Sequence, residues 1–79
     1  MIEYTLKFNV NPYDPDSKMP IWWPSYVSER LLGAPEIDEN HHSIYTMKFL
    51  FGEQYLQEFE AYIRTELKNF VVYSEKSQL

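Results

Sequence analysis

The sequence predicts a two-layer α+β fold in which a three-stranded mixed sheet packs on one long helix, and three observations support it. Residues 2–10 alternate between apolar and polar side chains, the period-two pattern of a strand with one buried face. Residues 53–68 repeat apolar side chains at three- and four-residue steps, which indicates an amphipathic helix. Strand patterns at residues 43–51 and 70–74 flank this helix and predict a crossover that joins two parallel strands.

The remaining segments are predicted to be loops and one short helix. Residues 11–24 contain Asn-Pro and Asp-Pro pairs, which favour turns. Residues 25–32 show i,i+4 apolar spacing over two turns, so they predict a short helix that forms only if its apolar side packs. Residues 33–42 are polar and predict a second loop, and the tail at residues 75–79 is expected to fray.

Length and composition predict a single domain that depends on aromatic packing. The 79 residues include no cysteine, and aromatic side chains make up 18% of the chain. Disulfides and thiolate metal sites are therefore excluded. A chain of this length buries only about 60% of its unfolded surface, so dense aromatic packing or self-association has to supply stability.

The charge balance restricts the class of partner. Twelve carboxylates against seven Lys and Arg residues give a formal charge of −5, which disfavours phosphate backbones and anionic membranes. A basic protein surface is the compatible charged partner, although a modest net charge is also common among small domains. The N-terminus lacks the pattern of a signal peptide, and the longest apolar stretch, residues 47–51, is too short to span a bilayer. We expect a cytoplasmic protein that binds neither nucleic acid nor membrane.

The segment PIWWPSY, residues 20–26, is the strongest candidate for a binding site. Its two prolines favour an extended backbone, in which consecutive side chains point in opposite directions. Trp22 and Trp23 are therefore not expected to enter one core together, and at least one indole, with Tyr26, is predicted to contact a partner. Trp and Tyr are enriched at binding hot spots. In the alternative interpretation both indoles lie against the flanks of the sheet as additional core.

Three carboxylates complete the predicted partner-binding site. Asp14 and Asp16 flank the aromatic segment in a proline-rich turn, whose prolines replace the pattern of a calcium-binding loop. Glu66 falls inside the apolar arc of the long helix. Its carboxylate therefore extends past the edge of the sheet, pairs with a cation or contacts a partner.

Signals for metal binding and catalysis are weak. His41 and His42 follow three acidic residues, but adjacent histidines usually diverge, and the spacing matches no recurrent zinc pattern. A solvated loop is the favoured interpretation. No nucleophile elbow, glycine-rich phosphate loop or positioned acid–base pair occurs in the sequence. We therefore expect neither an enzyme nor a cofactor.

These observations predict a small, acidic, non-enzymatic protein–protein interaction module that docks on a basic, nucleic-acid-handling protein. Short single-domain chains without cysteine resemble the adaptors and inhibitors that phages and mobile elements encode against host machinery, a resemblance that involves no specific motif. The alternative is a small-molecule-binding domain with an aromatic-lined pocket, formed by one chain or at a homodimer interface.

Overall fold

A computed structural model of the chain describes residues 1–19, 36–38 and 41–78. The described residues form a four-stranded sheet with the strand order β2–β3–β1–β4, in which every neighbouring pair is antiparallel. The strands are β1 Ile2–Phe8, β2 Glu36–Asp38, β3 His41–Phe51 and β4 Val71–Gln78. Helix α1 spans Leu56–Thr65 and directly follows a 3-10 turn at Glu53–Tyr55.

The apolar face of β1 forms the centre of the core, as its alternation predicts. Every second residue from Ile2 to Phe8 is buried, and the intervening side chains are partly exposed. The register with β3 sets Tyr4 opposite Phe49 and Leu6 opposite Met47, and all four side chains are buried. The two central strands therefore present one continuous apolar face to the helix.

Helix α1 packs on this face through Phe59. The Phe59 ring is fully buried, and its centroid lies 5.1 Å from that of Tyr4, 5.4 Å from that of Phe49 and 4.8 Å from that of Phe51. Tilted aromatic pairs at these distances add to the stabilisation that comes from burial alone. Leu67, just beyond the helix, is also fully buried. The expected helix-on-sheet packing is thus formed by an aromatic cluster.

The predicted three-stranded mixed sheet is wrong. The described sheet has four strands, and β1 lies between β3 and β4, antiparallel to both. The two strands that α1 connects are parallel to each other but not adjacent, which is a split β-α-β arrangement. Side-chain periodicity indicates that strands exist, but it does not specify that a third strand is inserted between them. An antiparallel sheet also explains why β1 has one apolar and one polar face.

Two segments predicted to be irregular are strands. β2 lies within the predicted loop at residues 33–42 and pairs with β3, and Ile37 is opposite Tyr45. Residues 75–78 of the predicted frayed tail belong to β4, where Glu75 is opposite Thr5. Backbone hydrogen bonds to a central strand stabilise both segments, so neither needs an apolar pattern of its own.

Several boundaries also differ from the sequence prediction. β1 ends at Phe8 rather than at residue 10, and β3 begins at His41 rather than at residue 43. Helix α1 ends at Thr65, before the predicted end at residue 68. The predicted short helix at residues 25–32 lies outside the described residues. The single-domain organisation stays a prediction.

Candidate protein-binding surface

The turn that carries Asp14 and Asp16 is closed by hydrogen bonds, and both side chains are exposed. The Asp14 carboxylate accepts a hydrogen bond from the Asp16 N–H at 2.9 Å, and so caps a 3-10 turn at Pro15–Ser17. The turn ends at Lys18, whose φ of 61° is left-handed. Pro12 and Met19 are buried on either side of the turn. The two carboxylates are therefore presented to solvent from a segment anchored at both ends.

Glu66 is exposed at the C-terminus of α1. Its backbone N–H donates to the Tyr62 carbonyl at 2.8 Å and completes the last helical hydrogen bond. The helix ends at Thr65, and the side chain of Glu66 is exposed to solvent. Contact of this carboxylate with a partner stays a prediction.

The chain that leaves β1 and the chain that enters β4 meet at one end of the sheet. The Asn9 N–H donates to the Phe70 carbonyl at 2.9 Å, and the Asn9 amide group donates to the Asn69 carbonyl at 3.1 Å. These bonds join the chain leaving β1 to the chain entering β4.

The predicted aromatic contacts, Trp22, Trp23 and Tyr26, lie outside the described residues, so their role stays a prediction. His41 and His42 lie at the start of β3 instead of in a loop. Within residues 1–19, 36–38 and 41–78, no three His, Asp or Glu residues are grouped closely enough to hold a metal ion. In this same part of the chain, no helix is long and apolar enough to cross a membrane.

A polar cluster between α1 and β4 has no signal in the sequence. The Tyr4 hydroxyl donates to Glu60 Oε2 at 3.1 Å, and Lys76 Nζ lies 3.3 Å from the same oxygen. Burial raises the pKa of Tyr4, and the negative charge and hydrogen bond of Glu60 raise it further; Ser74 and Arg64 act in the opposite direction. Helical spacing suggests a Glu60–Arg64 pair, whereas the fold brings Lys76 from 16 positions away. The cluster attaches the helix to the sheet edge.

The sheet face opposite α1 carries a second interaction that sequence reasoning missed. Lys7 Nζ lies 5.5 Å from the centre of the Tyr73 ring, and the Tyr73 hydroxyl donates to Glu75 Oε2 at 2.8 Å. The hydrogen bond and charge of Glu75 raise the pKa of Tyr73. The register of β1 with β4 sets Lys7 opposite Tyr73, so pairing creates the contact. Tyr73 is nevertheless 47% exposed, and its neighbour Val72 is 54% exposed.

Comparison with protein-family models, with curated proteins and with solved structures gives no match for this chain. A function therefore has to be argued from the residues and the fold.

Proposed function

We propose that this protein is a small, acidic, non-enzymatic protein-binding module that docks on a basic surface of another protein. The aromatic segment with Trp22 and Trp23 supplies the apolar contact, and the carboxylates of Asp14, Asp16 and Glu66 supply the charge. In the more specific form of this proposal the partner handles nucleic acid, and the module acts as an inhibitor or adaptor of the kind that phages and mobile elements encode.

The observation that supports this proposal best is the hydrogen-bonded acidic turn. Asp14 holds the backbone of Asp16 while both side chains remain exposed. Carboxylates on an ordered segment lose little conformational entropy when they bind a cation, which favours recognition over a merely solvated loop. The formal charge of −5 adds long-range attraction towards a basic partner.

Co-purification tests the proposal. The wild-type protein and a Trp22→Ala/Trp23→Ala double variant are immobilised and exposed to the same lysate, after circular dichroism has shown that the variant folds. We expect the wild type to retain a basic protein that the double variant loses. Retention of the same protein by the folded double variant, or retention of no basic protein by the wild type, would contradict the proposal.

Charge reversal tests the acidic turn separately. Asp14→Lys/Asp16→Lys is expected to weaken capture, because it replaces two exposed carboxylates with cations that repel a basic surface. Glu58→Lys is the matched control, since Glu58 is an exposed carboxylate on α1. Equal losses in the turn variant and the control would show that net charge, and not this turn, determines binding.

A further inference from the structure

Among residues 1–19, 36–38 and 41–78, no strand pairs with the outer edge of β4. β4 lies at one edge of the described sheet and pairs only with β1, and its residues 72–78 are exposed. The Asn9 N–H donates to the Phe70 carbonyl, and the register skips Val72 as a bulge. In an antiparallel pair, successive residues point their backbone N–H and C=O groups alternately towards and away from the neighbouring strand. Counted from this bond and past the bulge, Ser74 and Lys76 point these groups away from β1. Such a row of outward groups is a template for another strand.

Starting from the proposed function, on which this inference rests, we propose that the partner adds an extended segment to the sheet along the outer edge of β4. The segment carries a basic residue that pairs with Glu75 and, two positions away, a β-branched or aromatic residue that packs on Tyr73. The backbone bonds of strand addition supply affinity, and the two side chains supply specificity.

Like charges and the bulge disfavour a second copy of this chain in the registers centred on Glu75 and Ser74. Two β4 strands related by a two-fold axis pair with the same residue of each chain at the centre of the ladder. A ladder centred on Glu75 opposes two carboxylates, which is destabilising. A ladder centred on Ser74 sets Lys76 opposite the bulge at Val72, where regular pairing is interrupted.

Charge and exposure favour the proposed segment instead. Tyr73 and Glu75 are two positions apart, so both side chains lie on the sheet face opposite α1, and both are exposed. A cross-strand cation opposite Glu75 and a β-branched or aromatic side chain opposite Tyr73 are favourable pairs. Lys76 points to the other face, where Glu60 neutralises it at 3.3 Å. On the β4 edge itself a basic segment therefore meets the Glu75 carboxylate, while the Lys7 cation of β1 lies over the Tyr73 ring.

A synthetic peptide provides the test. The probe Thr-Lys-Thr-Val-Thr-Lys-Thr-Val-Thr, labelled with a fluorophore, is titrated with the full protein and followed by anisotropy. We expect saturable binding that weakens as salt is added. Ser74→Pro should weaken binding at least tenfold, because it removes an outward N–H that would bond the added strand. The variant should still fold, because proline is tolerated at a strand edge where the N–H faces solvent. Ser74→Ala, which retains the N–H but loses the hydroxyl, should bind like the wild type.

Two further measurements test strand addition without Ser74→Pro, in case that variant fails to fold. Glu75→Lys should no longer bind the lysine probe and should instead bind a peptide in which glutamate replaces each lysine. Amide hydrogen exchange should show new protection at Ser74 and Lys76 when the probe binds. Absence of probe binding to the wild type, unchanged binding by Glu75→Lys, or no new protection would overturn the inference. If a natural partner is lost by the Trp22→Ala/Trp23→Ala variant but retained by Glu75→Lys, the proposed function stands and strand addition fails.

Discussion

The Tyr4 hydroxyl donates a hydrogen bond to the Glu60 carboxylate across 3.1 Å, between residues 56 positions apart in the chain. Tyr4 lies on the central strand β1, and Glu60 lies on the flank of α1 that faces β4. The bond is partly buried, and Lys76 binds the same carboxylate oxygen. The helix is thus fixed on the sheet by a polar contact beside the aromatic core.

The first prediction concerns this bond. Tyr4→Phe should lower the free energy of unfolding by about 1 kcal/mol, the usual net contribution of such a hydrogen bond, since Glu60 retains Lys76 as a partner. Tyr73→Phe is the matched control, because the Tyr73 hydroxyl bonds Glu75 at the exposed surface. Urea unfolding of the two variants measures both changes. Equal losses would show that the Tyr4–Glu60 bond has no special role.

Alkaline pH should lower the free energy of unfolding, because the Tyr4 hydroxyl ionises. Burial and Glu60 raise the pKa of Tyr4 above its ordinary value of 10.0, so the folded state holds this proton more tightly than the unfolded state. The stabilisation that protonated Tyr4 gives the folded state is fully present below pH 10, and it is lost as the pH rises through the higher folded-state pKa. Urea midpoints measured at increasing pH should therefore fall faster for wild type than for Tyr4→Phe. Parallel pH profiles would contradict this assignment.

The aromatic cluster makes Phe59 the most sensitive core position on α1. Phe59→Ala should cost about 3–5 kcal/mol, because it removes a fully buried ring that contacts Tyr4, Phe49 and Phe51. Such a loss approaches the entire stability of a small domain, so loss of cooperative thermal unfolding by circular dichroism is expected. Phe59→Leu should remain folded with a lower melting temperature. A cooperative Phe59→Ala variant with a melting temperature near wild type would contradict this packing.

Substitution of Glu66 should affect binding of the partner but not stability. Glu66→Leu should change the free energy of unfolding by no more than about 0.5 kcal/mol, as is usual for exposed positions, while capture of the basic partner decreases. Glu58→Leu, at another exposed carboxylate of α1, should affect neither property. Urea titration and co-purification measure the two effects. A gain in the free energy of unfolding well above this range would show that residue 66 lies in the apolar layer. Unchanged capture of the basic partner would show that Glu66 is not part of the binding surface.

The sequence predicted those parts of the fold that have periodic side chains. The alternation from Ile2 to Phe8 identified β1 and its buried face, and the spacing around Phe59 identified the helix. β2 and the end of β4 were missed because backbone pairing stabilises them, and polar side chains such as Glu75 give no periodic signal. Strand order was also missed, since it depends on which strands pair and not on the pattern of any one strand.

The candidate site was predictable only at the level of residue type. Asp14, Asp16 and Glu66 were proposed from the sequence and stay predictions, and the contact between Asn9 and Phe70 is a tertiary bond that local spacing does not indicate. The pairing of Glu60 with Lys76 and of Lys7 with Tyr73 likewise follows from the register and the crossover. Local spacing carries no information about partners that tertiary folding brings together.

The central claim, recognition of a basic protein, is tested most directly by the dissociation constant of the captured partner at low and high ionic strength. We predict that salt weakens binding by the wild type, that Asp14→Lys/Asp16→Lys reduces this salt dependence, and that Trp22→Ala/Trp23→Ala abolishes measurable binding. An affinity that is independent of salt and unchanged by both sets of substitutions would contradict the account.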